Sequence, residues 1–420
     1  MNSIPGPSIP SADPHKSPHP VVFLFLFLPF GIVSGYLTVT LAYLFSKAGI
    51  SIEQIAILVS VSLIPQIFKF LWGPLVDTTL TVKSWYIIST VISAGCILAT
   101  GIVPVKASSL PLLTTIIIIS NFAVTFVGMA GNSFAAHDTP EHLKGRVSGY
   151  IQAGNMGGSG VGGGAGLWLA AHLPALWMAG AALALTCLLC CLGLFFVAEP
   201  VTALRAGSVV KTLQNVVNDV WSTLKSKLGL LAFIICSMPI GTCAASNLFA
   251  AVAKDWHASA DVVALVTGVV GGLVTGVGSL IGGWICDMMD RKAAFILIGL
   301  VQAASAVGMA YFPHTELMYI IWTLIYALTI GLTYAAFNAV ALEATGKGAA
   351  VTKFELFASV SNAPIYLMTF VAGVAYSKWG PKGMLNTEAV CATVAAVLFL
   401  GIKALIDRKK NMANVAPSSV

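Results

Sequence analysis

Long runs of apolar residues, broken by short polar connections, fill almost the whole chain. They show neither the two-residue alternation of a half-buried strand nor the one-sided stripe of a surface helix. Segments apolar on all sides can be drawn at 21–46, 52–76, 84–104, 110–136, 146–171, 174–198, 229–253, 262–287, 293–312, 317–343, 352–377 and 384–406. Each holds about 20 residues or more, enough for a helix to cross roughly 30 Å of hydrocarbon. The pattern predicts an all-α membrane protein with twelve transmembrane helices in two six-helix bundles. The expected units are a disordered cytoplasmic tail at 1–20, an N-terminal bundle at 21–198, a linker at 199–228, a C-terminal bundle at 229–406 and a cytoplasmic tail at 407–420. In the linker, Val210, Leu213, Val217, Val220 and Leu224 recur at steps of three or four, which predicts an amphipathic helix lying at the membrane surface.

The two halves echo each other. Gly73-Pro74-Leu75-Val76-Asp77 follows the second span and Gly283-Trp284-Ile285-Cys286-Asp287 ends the eighth, half a chain later. Repeated bundles suit transport by rocking about a central site.

Composition agrees with the pattern. Hydrophobic residues make up 57% of the 420 and charged residues 9%, with a mean hydropathy of +0.90; an ordinary soluble domain has about 25% charged residues. A net charge of +6 with no long basic block excludes nucleic-acid binding. Of the 22 Lys and Arg, sixteen fall on the side of the chain termini and five on the other, so both termini are expected in the cytoplasm of an inner-membrane protein. The eight cysteines all lie in apolar stretches and read as small buried hydrophobes, with no metal site and no cofactor. Span five contains Gly158-x-Gly160-x-x-Gly163, which inside a membrane helix reads as close packing where the halves slide, not as a phosphate cradle. No His-Glu-x-x-His or Gly-x-Ser-x-Gly is present, so an enzyme is not expected. A membrane sensor is the alternative from another class, and no soluble signalling domain accompanies the spans.

Lys69 stands out because a charge within a span costs about 2.5 kcal/mol or more on insertion scales. Ser62, Gln66 and Lys69 share a helical face. One reading makes Lys69 the counter-charge for an anionic solute; the other has it reaching the membrane surface or pairing with Asp77. By the drawn boundaries no Asp or Glu falls in the middle of a span. His137-Asp138, where an imidazole adjoins a carboxylate, is the first candidate for proton coupling, ahead of Glu343 and Glu355; the other readings are a helix-end cluster answering Lys144 and Arg146, protonation of the substrate, or facilitated diffusion.

Gly283-x-x-x-Asp287-x-x-Asp290-Arg291-Lys292 resembles the loop signature of the major facilitator superfamily, and Gly73 and Asp77 are its weaker N-terminal copy. The resemblance implies that these residues latch the halves in one state. A narrower patch, Phe68-Lys69-Phe70-Leu71-Trp72-Gly73-Pro74-Leu75-Val76-Asp77, is similar to AmpG-type muropeptide permeases and their acetyl-CoA transporter relatives. So are Pro29–Gly35, the Ala48-Gly49-Ile50-Ser51 turn and Ala350–Ser359. The superfamily resemblance implies that spans one, four, seven and ten line a central cavity. By position this selects Tyr36, Thr40, Tyr43, Asn121, Thr125, Asn247, Tyr326, Tyr334 and Asn338, beside Gln66 and Lys69, as substrate contacts. The expected function is secondary active transport: proton-coupled import of a mid-sized polar solute of the muropeptide kind by a monomeric permease, with a siderophore or other organic solute as the alternative. The expected partners are the small-molecule substrate, the lipid bilayer and protons.

Overall fold

A computed structural model describes residues 18–62, 64–72, 75–76, 79–138, 144–199, 218, 221–222, 225–345 and 350–415. Twelve helices form the fold: α1 Val21–Lys47, α2 Ile52–Phe68, α3 Val82–Ile102, α4 Leu110–Asp138, α5 144–172, α6 Leu176–Phe196, α7 227–256, α8 260–288, α9 Arg291–Tyr311, α10 Glu316–Thr345, α11 350–379 and α12 381–415. The apolar stripe expected in the linker lies outside the described residues, as do Gly73 and Asp77. Helix α12 runs on to Val415, through most of the stretch expected to be a tail.

Helix ends follow local chemistry. Thr81, Ser226, Ser259 and Asp290 each accept a bond from the backbone N–H three residues on, capping α3, α7, α8 and α9. Glu199, just beyond α6, accepts from Val82 N at 2.6 Å and Lys83 N at 3.2 Å. A carboxylate at a helix N-terminus is favourable, and this one ties the end of α6 to the start of α3. Helices α11 and α12 part at Gly380, whose φ of 64° suits a residue without Cβ.

Helices α1, α5 and α7 are among those that depart from regularity. Helix α1 widens to a π-turn at Tyr36–Leu41, and α5 does the same at Val161–Ala165. Helix α7 breaks between Ser237 and Ala244. Pro239 cannot donate to the helix ladder, and both Gly241 (φ 63°) and Cys243 (φ 49°) take left-handed backbone.

Glycines set the close approaches. A Cβ on Gly154, Gly158 or Gly162 of α5 would strike the carbonyl oxygens of Leu24, Leu28 or Ile32 on α1, all inside the N-terminal half. Only part of the α5 glycine series therefore faces the other half. Gly160 and Gly164 do so, against Gly268 and Ala264 of α8.

While α2 and α11 also touch nearer the other end, the apolar faces of the two halves meet at the end remote from the chain termini. There one continuous apolar cluster includes Phe45, Ile55 and Leu58 from the N-terminal half and Phe249, Val252 and Val263 from the other. The outer turns of α1 pack on Phe249–Val252 of α7, Gly373 of α11 lies against Ala56 of α2, and His172 Nε2 lies 4.0 Å from Asp261 Oδ1. A second apolar cluster, with Ile235, Phe295 and Phe399, belongs to the C-terminal half alone.

Candidate functional site

Between the halves lies a cavity of about 450 Å³, closed at the far end by the packing just described. Its lining extends toward the terminus-bearing end through Lys69, Gln152, Phe295 and Ala358. Among the described residues, seven carboxamides face it: Gln66, Asn121, Gln152, Asn155, Asn247, Asn338 and Asn362. Three tyrosines, Tyr326, Tyr334 and Tyr366, join them. Among the described residues that line the cavity, Lys69 is the only charged one.

Lys69 opens a 3-10 turn, Lys69–Leu71, that follows the α-helical part of α2. Such a change of helix type inside a span often marks a hinge. Across the cavity, Asn362 of α11 donates to the carbonyl of Gln66 at 3.4 Å, so the two halves touch beside the lysine. Asn247 donates to Thr369 at 2.9 Å, which fixes its amide against α11.

Of the residues selected from the sequence, the structure places Gln66, Lys69, Asn121, Asn247, Tyr326, Tyr334 and Asn338 on the cavity wall. It puts Tyr36, Thr40 and Thr125 to other uses. Tyr36 is buried against α3, its hydroxyl 3.0 Å from Thr100 Oγ1. Thr40 donates to the carbonyls of Gly162 and Gly163 at 2.8 and 3.0 Å, joining the two π-turns. Thr125 accepts from Trp72 Nε1 at 2.9 Å. Tyr43 packs on the far-end apolar cluster, outside the cavity lining. On α1 the cavity face is instead Phe30, Ser34 and Thr38, because Gly31 and Gly35 turn the neighbouring face onto α5.

The expected proton-coupling and latch groups also fall differently. Glu343 Oε1 accepts from Lys292 Nζ at 2.9 Å, and Lys292 is only 5% exposed. This pair joins α9 to α10 within one half, so Lys292 is not a tie between halves here. Asp290 caps α9 and lies 3.9 Å from Lys403 Nζ. Arg291 is the first residue of α9, and a Cβ built on Gly283 would meet nothing within 4 Å, so close packing does not explain that glycine. The side chains of His137, Asp138, Asp287 and Glu355 lie outside the described set.

One acid was missed from the sequence. Glu388 of α12 is 1% exposed, deep in the C-terminal half. It accepts from Thr242 Oγ1, Ala245 N and Tyr326 Oη, each at 3.3 Å. Because α12 starts at Pro381, Glu388 sits two turns into the helix, and the expectation that no acid lies well inside a span is corrected.

The sequence profile of the Major Facilitator Superfamily matches residues 23–367. No curated protein sequence matches the chain. Among solved structures, a nucleoside transporter NupG mutant superposes with a TM-score of 0.70 at 16% identity, covering 91% of this chain and 98% of that one. A D-xylose-proton symporter gives 0.69 at 15% identity, with 88% and 95% covered. A peptide transporter POT bound to sulfate gives 0.68 at 13% identity, with 96% and 97% covered.

Proposed function

The chain belongs to the Major Facilitator Superfamily, and within it we propose a proton-driven importer of an anionic organic solute rich in hydroxyl and amide groups, of the muropeptide class. Secondary transport, not catalysis, is the family's work. The observation that carries the solute class is Lys69 as the only charge among the described lining residues, set among carboxamides. A lysine ammonium on a wall otherwise uncharged among the described residues attracts an anionic solute group, and charge-assisted hydrogen bonds to a carboxylate are among the stronger ones. Carboxamides both donate and accept, which matches sugar hydroxyls and peptide groups alike, and tyrosine rings offer flat apolar faces. The cavity volume falls in the range of about 300–1,000 Å³ usual for small-molecule sites. The patches around Phe68–Asp77 and Ala350–Ser359 favour the muropeptide branch among such solutes.

The excess of Lys and Arg on the terminus-bearing side supports cytoplasmic termini in an inner membrane. On that orientation the closed far end is the outer gate, and the arrangement is inward-facing. Rocking of the halves about the cavity then parts the contacts of α1, α2 and α5 with α7, α11 and α8, and exposes the same wall to the outside.

The test is a thermal-shift screen of the purified protein against muropeptides, iron chelates, nucleotides and peptides. Stabilisation by an anionic muropeptide is expected. Lys69→Gln should weaken that ligand about tenfold or more, since a hydrogen bond to a charged group contributes about 1.5–3 kcal/mol. A best ligand without an anionic group, or unchanged affinity in the folded variant, removes the reading.

A further inference from the structure

Glu388 has no part in the solute reading, yet it is the most deeply buried acid among the described residues. Its surroundings are short of charge. The titratable groups facing it are Tyr326 from α10, Cys243 from the break in α7 and Cys391 from its own helix. No Lys, Arg or His among the described residues forms an ion pair with it. A carboxylate held in earnest by hydroxyl donors draws them to about 2.5–2.7 Å, whereas Thr242 and Tyr326 both stand at 3.3 Å. Gln302 of α9 is fully buried with its amide close to the Tyr326 hydroxyl, but no well-formed hydrogen bond satisfies its Nε2 or Oε1. The site thus holds a carboxyl with loose donors and spare polar capacity beside it, an arrangement able to accommodate the group with or without its proton.

We propose that Glu388 is the proton-binding site of the transport cycle and that it acts through the break in α7. The inference rests on the proton-driven part of the reading above. Two of its partners, Thr242 and Tyr326, line the cavity, so a proton has one hydroxyl to cross between cavity and carboxyl. In that step the hydroxyl oxygen accepts the carboxyl proton and releases its own to water, leaving a carboxylate and an unchanged hydroxyl. The carboxylate then draws in Thr242 Oγ1, Tyr326 Oη and Ala245 N. Thr242 and Ala245 flank Cys243, where α7 is already unwound. Four residues past Ala245, Phe249–Val252 pack on the outer turns of α1, so a shift of the unwound segment reaches the far-end contact directly. Asn247 lies in the same stretch and lines the cavity, which brings the solute to the same element.

The test uses protons alone as ligand. Purified protein in lipid nanodiscs is titrated across the neutral range while infrared difference spectra follow protonated carboxyl bands. The same titration is followed by the distance between spin labels at Lys47 and Lys254, which are exposed on opposite halves at the far end. We expect a carboxyl band that titrates together with the label distance, is lost in Glu388→Gln and shifts in Glu388→Asp. In Glu388→Gln, a mimic of the protonated acid, the distance should stay at its low-pH distribution at every pH. A Glu388→Gln protein that follows the wild-type pH dependence overturns the proposal. If that variant does not fold, a band unmoved in Glu388→Asp overturns it equally. A ligand screen with no binder would undo the solute reading and leave this titration standing, so the two fail separately.

Discussion

Substitution of Gly164 by alanine separates contacts that hold one half together from contacts that hold the two halves shut. A Cβ at Gly164 would lie 2.6 Å from the carbonyl oxygen of Ala264 and 2.9 Å from Gly268 Cα, both on α8 of the opposite half. Backbone has little room to give, and overpacking of this kind costs about 1–3 kcal/mol. Because α5 and α8 belong to different halves, the closed far end bears that cost and the parted state does not. The ratio of closed to parted molecules should therefore fall about 5- to 150-fold. Gly158→Ala is the control. Its Cβ would lie 2.3 Å from the carbonyl of Leu28, in the same half, so both states pay alike and only thermal stability should drop. Electron-electron distance measurements between labels at Lys47 and Lys254, in a background with the eight cysteines replaced, read the two populations. A distribution unchanged by Gly164→Ala, or one shifted as far by Gly158→Ala, would refute the assignment of these glycines to different interfaces.

Three further outcomes follow from the site. Tyr36→Phe loses the bond to Thr100 and should lower stability by about 1 kcal/mol while leaving the affinity of any ligand found in the screen unchanged; a selective loss of affinity would return Tyr36 to the cavity wall. Lys292→Met leaves Glu343 without the partner of Oε1, when Oε2 already has none. Loss of one member of a well-buried pair costs about 3–5 kcal/mol, and the partial exposure of Glu343, 27% for its side chain, reduces this to about 1–3 kcal/mol by thermal unfolding, most of it recovered in Lys292→Met with Glu343→Leu. Thr40→Val removes two bonds between the π-turns of α1 and α5 and should destabilise the N-terminal half, seen as faster amide exchange in α1 and α5 than in α7–α12.

The twelve spans were legible because the bilayer imposes a length of apolar chain that few other environments demand. The rotation of each span about its own axis was not, and α1 shows why. Tyr36 and Thr40 form a polar pair at helical spacing, as do Ser34 and Thr38. Polarity alone cannot say which pair meets the cavity and which is spent on neighbouring helices. Gly31 and Gly35 carry the missing information, since small residues at a four-residue step mark the face that another backbone approaches. With that face assigned to α5, Ser34 and Thr38 are left for the cavity. The break in α7 had a similar signal in Pro239 and Gly241, which an apolar-run reading passes over.

Glu388 escaped for a different reason, and the reason bears on what it does. In a last span that starts at 384 the acid lies one turn from an end, where a carboxylate needs no explanation. Gly380 and Pro381 instead make the connection between α11 and α12 as tight as a single residue, which carries Glu388 two turns into the bundle. Once there, its position beside Tyr326 matters more than its helix number. By its place in span ten Tyr326 is an expected solute contact, and in the structure its hydroxyl bonds Glu388 while the residue also lines the cavity. A solute that engages Tyr326 competes for the same hydroxyl that a charged Glu388 would draw in. Solute and proton then bias one group, which is the minimum physical requirement for coupling between two sites.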